Sequence, residues 1–402
     1  MGFVQQNRAR NAVIGVACIF LLILCSACQS NASGQPVTSM PGTRSTPTAQ
    51  QTATPSLQIP QQKSTSTPVA AGATSPRIQP TSPTQPTQPT QPPPPPQPTQ
   101  PGSFNPNHPV LAFYYMWYTP STWSLSTMSD LPTIQYNSSD PTTIARQVNW
   151  AANAGITGFI SSWWGPGSAT DNNFVQLLSY SATLQQQTGH HFASSIYFES
   201  DSPQMSSEAS IVTDLKYLIA HYTSSPYFFH WNGKPVIFIW DPLGGGRTLA
   251  EWASIRSQVD PNDSMIWSAE GVSMSLLSVF DGIHLFSAGY WGIQNNDMTA
   301  VDQGFRNEIN TYNSANHTQK IWAAGVLPGY NDTRVPGRTG TYIVPRNNGA
   351  TYTESWQAAI ASSPSWITIT SFNEWFEGSM IEPSVTYGNL YLNLTAQFTR
   401  QW

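Results

Sequence analysis

The stretch WITITSFNEWFEG, residues 366–378, decides the fold prediction, because an apolar, β-branched run ends there at a corner that carries two carboxyls. Glu374 and Glu377 stand three residues apart, beside Trp375 and Phe376. On a helical turn, two side chains at this spacing lie on one face. Only 9% of the residues are charged, so two acids among aromatic rings at a strand end indicate a site rather than an ordinary exposed turn.

Seven further apolar runs precede this one. They are near-continuous rather than strictly alternating, as strands covered on both faces should be. The eight predicted strands are 110–116, 158–163, 192–198, 235–240, 265–269, 282–286, 321–327 and 366–371. The predicted helices between them are 141–154, 171–187, 207–222, 249–258, 272–279, 300–314 and 352–361. This alternation predicts a closed (β/α)8 barrel, a TIM barrel, over residues 108–402.

Two of the predicted helices begin with a capping box, in which a hydroxyl and a carboxylate satisfy free amides of the first turn. Thr248 and Glu251 form one, and Thr351 and Glu354 form the other.

The first 28 residues predict a secretory signal, with Arg8 and Arg10 before a short apolar run and small residues before Cys28. A cysteine in that position resembles a bacterial lipoprotein cleavage site, so Cys28 is a candidate for lipidation, and a plain signal peptide is the alternative. Residues 29–107 hold 19 of the 34 prolines and no acidic residue, which predicts a disordered Pro/Thr/Gln-rich linker. We therefore expect an extracellular domain tethered to a bacterial membrane by a lipid, or secreted.

The charge is unevenly distributed. All 21 acidic residues and 11 of the 16 basic ones lie after residue 107, which leaves a net charge of −10 for 108–402. This balance argues against nucleic-acid binding, which needs basic surface. The seven histidines show no ligand spacing, so we expect neither a metal nor another cofactor. We expect a monomer whose partner is an oligo- or polysaccharide.

A barrel enzyme carries its active residues just past the carboxyl ends of its strands. Aromatic rings and carboxyls dominate those positions, and such groups suit a sugar, since rings stack on its C–H faces and carboxylates accept its hydroxyl hydrogens. The residues are Tyr115, Trp117, Trp163, Trp164, Glu199, Asp241, Glu270, Tyr290, Tyr330, Glu374 and Glu377. Asp241, Glu270 and Glu382 are interpreted as peripheral or structural.

Glu374 and Glu377 are the predicted catalytic pair. Two close carboxyls disfavour double ionisation, so one keeps a proton near neutral pH while the other is an anion. An acid beside a base is what glycosidic cleavage needs, and close spacing favours retention of configuration. The hypothesis requires both carboxyls to face one ring-lined hollow and to be free of salt bridges to Arg or Lys.

The segment ITSFNEWFEGSMIEPS, residues 369–384, resembles the signature of the endo-α-1,2-mannosidase family, glycoside hydrolase family 99. FYYMWY at 113–118, AGITGFISSWWG at 154–165, NGKPVIFIWD at 232–241 and GVLPGYNDTRV at 325–335 resemble further motifs in the right order. The resemblance implies a (β/α)8 barrel and metal-free, retaining hydrolysis of an internal α-mannosidic bond.

It also implies roles. Glu377 would protonate the leaving oxygen as general acid, and Glu374 would deprotonate the sugar's 2-hydroxyl, which attacks the anomeric carbon. By position in the family, the sugar subsites would be lined by Tyr115, Trp117, Trp164, Glu199, Tyr330 and Arg334.

The chain departs from the family pattern at Phe376, where the signature has His, at YFESD (197–201) and at His284. The sugar and linkage are therefore open. Two alternatives stand beside hydrolysis of α-mannosidic bonds. One is a non-catalytic carbohydrate-binding surface lipoprotein, and the other is a WbsX-like polysaccharide-processing protein of different specificity.

Overall fold

The computed structural model describes residues 100–288, 292 and 297–402. The predicted signal peptide, Cys28 and most of the predicted linker lie outside the described residues, as does Tyr290. Their assignments remain predictions.

Eight parallel strands close into a barrel. They are β1 (Val110–Tyr114), β2 (Gly158–Trp163), β3 (Ser195–Glu199), β5 (Lys234–Trp240), β6 (Ile266–Glu270), β7 (Gly282–His284), β8 (Ile321–Val326) and β11 (Trp366–Ile369). The order around the sheet is β3-β2-β1-β11-β8-β7-β6-β5, and pairing of β3 with β5 closes it. The predicted (β/α)8 barrel is confirmed.

Helices alternate with these strands, and three further strands are short. The helices are α1 (Pro141–Asn153), α2 (Ala169–Thr188), α3 (Glu208–Tyr222), α4 (Leu249–Val259), α5 (Met298–Asn316), α6 (Ala350–Ala361) and α7 (Leu390–Thr399). The short strands are β4 (His230–Trp231), which pairs with β5, and the antiparallel pair β9 (Tyr330–Asn331) and β10 (Ile343–Val344). In the described part of the chain, no helix combines the length and apolar character needed to cross a membrane.

The strands carry two apolar layers, because successive side chains point to opposite faces. On β1, Leu111 and Phe113 belong to the cluster inside the barrel, whereas Ala112 and Tyr114 pack in the layer between strands and helices. Trp366 closes the inner layer below Phe238. Burial on both faces explains the near-continuous apolar runs of the sequence.

Local structure departs from prediction in three places. Residues 272–279 contain a 3-10 helix, Met274–Ser278, rather than an α-helix. The capping box at Thr248 and Glu251 is confirmed, but the one at Thr351 is wrong. Helix α6 begins at Ala350, two residues before the predicted start, and the Thr351 hydroxyl donates instead to the Pro345 carbonyl at 2.6 Å. Helix α7 follows the last predicted element and was not predicted.

The folded domain begins before residue 108. The Gly102 amide donates to the Asn153 carbonyl at 2.8 Å, and the ring of Phe104 stacks on His190 with centroids 4.6 Å apart. Residues 100–107 therefore pack on the barrel, and the predicted linker boundary is several residues too late.

Candidate active site

A cavity of about 510 Å³, its mouth included, opens at the carboxyl end of the barrel. It is lined by Tyr115, Trp117, Trp164, Tyr197, Glu199, Trp240, Phe286, Arg338, Glu374, Phe376 and Glu377. Rings and carboxyls thus share one hollow.

Most predicted site residues meet there. Glu374 and Glu377 face the cavity from the loop after β11, and the remaining four come from the ends of β1, β2 and β3. Those four are Tyr115, Trp117, Trp164 and Glu199. The rings of Tyr115 and Trp117 lie 4.8 Å apart, and Trp117 meets Trp164 edge-on at 6.0 Å.

Two predicted residues are not brought to the cavity. Arg334 is exposed, and its Nη1 donates to the carbonyls of Leu125 and Met128 at 2.7 and 3.0 Å, so it holds the loop after β1. Tyr330 is buried behind the wall, where its hydroxyl accepts from Arg338 at 2.9 Å. The arginine of the cavity is Arg338 because the chain turns back between β9 and β10.

Five residues that line the cavity are not among those predicted from the sequence. Tyr197, Trp240 and Phe286 lie on or just after strands predicted correctly, and the alternation of inward positions could have found the first two. Phe376 was noted only as a departure from the family pattern, and Arg338 carries no local signal, since its position depends on the fold of a long loop.

Hydrogen bonds to the first strand hold the turn that carries the acids. The Asn373 side chain accepts from the Tyr115 amide at 2.7 Å and donates to the Tyr115 carbonyl at 2.8 Å. The Glu374 amide donates to the Ser371 hydroxyl at 2.7 Å. These bonds orient the turn against the end of β1.

A buried carboxylate behind the turn fixes its tryptophan. Glu382 accepts from the Trp375 indole and the Tyr136 hydroxyl, both at 2.9 Å, and from the Gln147 amide at 2.6 Å. Burial raises the pKa of Glu382 to about 7 despite these bonds, which lower it. Glu382 therefore supports the site from behind, as the sequence analysis assumed.

Gly378 gives the first stability prediction. Its φ is +59°, and an added Cβ would lie 2.5 Å from the Ser129 hydroxyl and 3.1 Å from the Asn331 carbonyl oxygen. Gly388 is a matched control, because its φ is +53° and no atom lies within 4 Å. Both alanine variants carry the left-handed backbone cost of about 1 kcal/mol. We expect Gly378→Ala to lose roughly 1–3 kcal/mol more in urea unfolding, from crowding. Equal losses would contradict the crowding.

Arg338 forms an ion pair with one oxygen of Glu377. Its Nη1 lies 2.8 Å from Glu377 Oε1, 2.9 Å from the Tyr330 hydroxyl and 3.1 Å from Asp332 Oδ2. The other oxygen, Glu377 Oε2, is buried and has no hydrogen-bond partner among the described residues. The requirement that neither acid be salt-bridged is therefore not met by Glu377. Hydrolysis stays possible only through Oε2, the oxygen that Arg338 does not bind. One carboxylate oxygen still remains for a ligand.

Glu374 is the acid of the pair whose ionised form is disfavoured by burial. Its pKa is raised well above the usual value by burial and then by Glu377, whereas Arg338, the Phe376 amide and the Tyr118 hydroxyl lower it. Burial therefore favours the neutral, protonated form of Glu374 in the ligand-free protein. This is the reverse of the starting state that the family resemblance implies.

Glu199 is a third buried carboxyl of the cavity. The Ser162 hydroxyl donates to its Oε1 at 2.6 Å and accepts from the Trp164 indole at 3.0 Å. Burial raises the pKa of Glu199 to about 8, the Ser162 bond lowers it, and Glu377 raises it further. Glu199 is thus largely neutral near pH 7.

These buried carboxyls predict that stability falls as pH rises. Glu199 and Glu382 have folded pKa values of about 8 and about 7, above the ordinary 4.5. Between roughly pH 4.5 and 8 the native state thus binds more protons than the unfolded state, and stability falls with pH. We expect urea unfolding to show a loss of about 2 kcal/mol or more from pH 5 to pH 8. Constant or rising stability would contradict the burial of these acids.

Another hollow, wider at about 860 Å³, lies at the amino-terminal end of the barrel between Arg256, Asp281 and Lys320. It is shallow, and its charged walls are already paired, for example Arg256 with Asp281 at 2.8 Å. We place the site in the smaller cavity, because barrel active sites lie at the carboxyl end. Within the described residues, no cluster of three or more His, Cys, Asp or Glu side chains could hold a metal ion.

A closed (β/α)8 barrel with carboxyls and rings at the carboxyl ends of its strands is the architecture of barrel enzymes, and paired carboxyls are typical of glycosidases. The chain belongs to glycosyl hydrolase family 99, whose family model matches residues 127–393. The resemblance drawn from the sequence motifs is therefore confirmed.

Relatives agree with this membership. The chain is 28% identical over 287 residues to the mouse glycoprotein endo-alpha-1,2-mannosidase-like protein, covering 66% of this chain and 62% of that protein. It is 25% identical over 293 residues to mouse glycoprotein endo-alpha-1,2-mannosidase, covering 66% and 61%. The chain thus spans less than two thirds of the length of these relatives.

A solved structure shares the fold. The GH99 endo-alpha-mannosidase from Bacteroides thetaiotaomicron, in complex with bis-tris-propane, superimposes with a TM-score of 0.61 at 24% identity. The match covers 73% of this chain and 97% of that chain.

Proposed function

We propose that the protein is a retaining, endo-acting glycoside hydrolase that cleaves internal α-mannosidic bonds. One observation carries the proposal: Glu374 and Glu377 face a single cavity walled by aromatic rings at the carboxyl end of the barrel. Family membership and the names of the mannosidase relatives support the α-mannosidic substrate.

The two acids divide the work. Glu374 accepts the proton of the sugar's 2-hydroxyl, and the 2-oxygen attacks C1. The C1–O bond to the leaving sugar breaks, and that oxygen takes a proton from Glu377. Water, deprotonated by Glu377, then attacks C1 of the 1,2-anhydro sugar. The C1–O2 bond breaks, and the 2-oxygen takes back its proton from Glu374. Two inversions at C1 give net retention.

This cycle starts by moving one proton. In the ligand-free protein the proton rests on Glu374, and Arg338 pairs with Glu377. Reaction requires the opposite arrangement, with Glu377 neutral and Glu374 anionic. Transfer within the pair leaves its total charge unchanged, and the unpartnered Glu377 Oε2 is the oxygen available to meet the glycosidic oxygen.

The setting of the enzyme is part of the proposal. A signal before Cys28, lipid on that cysteine and a proline-rich tether would place a monomeric barrel outside a bacterial cell, where polysaccharides are available. Metabolic labelling with a fatty-acid analogue tests this. Loss of label in Cys28→Ala is the expected result, and no label on the parent protein would contradict lipidation.

A substrate panel tests the activity. The protein is incubated with α-mannan, β-mannan, α-glucan and α-galactan, and released oligosaccharides are analysed by mass spectrometry. Internal fragments from α-mannan alone are expected. Products from another α-glycan alone would support the same reaction on a different substrate. If no glycan in the panel is cleaved, hydrolysis of these glycans is rejected.

The Arg338–Glu377 ion pair favours one second candidate, a non-catalytic carbohydrate-binding protein, because it stabilises the anion of the assigned acid. This candidate predicts calorimetric binding of manno-oligosaccharides without fragments. Fragments in the panel would eliminate it.

A further inference from the structure

Trp240 forms the cavity wall opposite the acid pair. Trp240 is the last residue of β5, whereas the two acids follow β11. Around the closed barrel, three strands lie between β5 and β11 in either direction. One way leads through β1, β2 and β3, and the other through β8, β7 and β6. A sugar whose reacting atoms meet Glu374 and Glu377 thus presents its far edge to Trp240.

The Trp240 indole is fixed in place but lacks a hydrogen-bond acceptor. Its ring meets Tyr197 and Phe286 edge-on, with centroids 5.8 and 5.5 Å apart. The residue is 9% exposed, and Nε1 has no hydrogen-bond partner among the described residues. An indole N–H can only donate, and buried donors in native proteins are normally paired.

Neighbouring indoles show the contrast. The N–H of Trp164 is bound by the Ser162 hydroxyl at 3.0 Å, and that of Trp375 by Glu382 at 2.9 Å. Both rings are therefore satisfied by the protein itself. Trp240 lines the same cavity as Trp164, but its N–H, like that of Trp117, has no hydrogen-bond partner among the described residues.

We propose that Trp240 is a specificity-determining residue whose N–H donates to an oxygen on the C4–C6 edge of the sugar held by the acids. The inference rests on the proposed function, which places C1 and C2 of that sugar at Glu374 and Glu377. Across a pyranose ring, C4 lies opposite C1, and C5, which bears C6, lies opposite C2. The ligand class is a neutral hexopyranose that keeps an oxygen at C4 or C6.

The test is a cycle between enzyme variants and deoxy sugars. The substrates are α-1,2-linked manno-oligosaccharides whose reacting mannose is intact, 3-deoxy, 4-deoxy or 6-deoxy. We expect the wild type to lose roughly 5- to 100-fold in kcat/KM on either the 4-deoxy or the 6-deoxy sugar, because the buried N–H is left unpaired. Trp240→Phe keeps the ring and removes the N–H, so it should lose about 3- to 10-fold on the intact sugar and show no further penalty on the deoxy sugar.

Trp164→Phe is the matched control, since it removes an N–H that the protein already binds, and it should keep the full deoxy penalty. A penalty that persists in Trp240→Phe, or one confined to the 3-deoxy sugar, overturns the inference. If the wild type cleaves no sugar, the proposed function fails. The same enzyme variants and deoxy sugars are then compared by their Kd values, measured by calorimetry, instead of by kcat/KM. Equal Kd values for intact and deoxy sugars would then overturn the role of Trp240. The wild-type series does not depend on the folding of any variant.

Discussion

Glu377→Gln is expected to lower kcat on an unactivated α-mannoside by about 10²- to 10⁴-fold, since an amide cannot protonate the leaving oxygen. Binding of the oligosaccharide should persist, because Gln keeps the shape of the side chain and its oxygen. Steady-state kinetics and calorimetry measure the two effects. Glu354→Gln is the matched control, because Glu354 is exposed on α6 and should change neither value.

The leaving group distinguishes the two acids. Fluoride departs from an α-mannosyl fluoride without general-acid help, so Glu377→Gln should regain most of its rate on this substrate. Glu374→Gln should stay slow on both substrates, because the 2-hydroxyl still needs a base. Unaltered hydrolysis by Glu377→Gln would reject its assignment. If Glu374→Gln, rather than Glu377→Gln, regains its rate on the fluoride, Glu374 is the general acid and Glu377 the base. That outcome would agree with the resting position of the proton.

Arg338→Gln is expected to shift the pH dependence of activity upward and to destabilise the fold. Arg338 lowers the pKa of Glu374, which burial raises first and Glu377 second. Without the cation, the pKa of Glu374 rises further. Activity needs the Glu374–Glu377 pair to carry a single proton, so the rising limb of the kcat/KM profile reports the first ionisation of the pair. This limb should move to higher pH by about one to three units when the cation is removed.

The stability effect has a separate cause. Arg338, Asp332 and Glu377 have side chains only 11%, 4% and 16% exposed. Removing one partner leaves two buried carboxylates without their cation, at a cost of roughly 3–5 kcal/mol. Urea unfolding at pH 7 measures this loss.

Two variants test whether the charge of Arg338 is responsible. Arg338→Lys keeps the positive charge and should therefore leave the rising limb closer to that of the wild type than Arg338→Gln does. Arg334→Gln removes an arginine that holds Leu125 and Met128, outside the cavity, so it should not move the limb. If Arg338→Gln lowers the rate but leaves the limbs of the kcat/KM pH profile unchanged, Arg338 has only a structural role.

The barrel could be predicted because strands buried on both faces need apolar residues at nearly every position, and such runs are easily recognised in the sequence. In β5, for example, the run from Val236 to Trp240 is apolar throughout and buried on both faces. Short-range signals were less reliable. Thr351 and Glu354 match the residue types of a capping box, but Gly349, with a φ of +93°, is the N-cap. Helix α6 therefore begins at Ala350, two residues before the predicted start.

The candidate site could be predicted where strand ends determine it. Tyr115, Trp117, Trp164 and Glu199 follow strands directly, and all four line the cavity. Arg334 and Arg338 show the limit of this reasoning. Both lie in the long loop after β8, and only the pairing of β9 with β10 decides which arginine reaches Glu377.

The most direct test of the central claim is the anomeric configuration of the first product. Proton NMR is recorded within the first minutes of incubation of the wild-type protein with an α-1,2-linked manno-oligosaccharide, before mutarotation. The account predicts an α-anomeric reducing end on the newly released fragment, and none with Glu377→Gln. A β-anomer from the wild type, or the same fragment from both proteins, would contradict it.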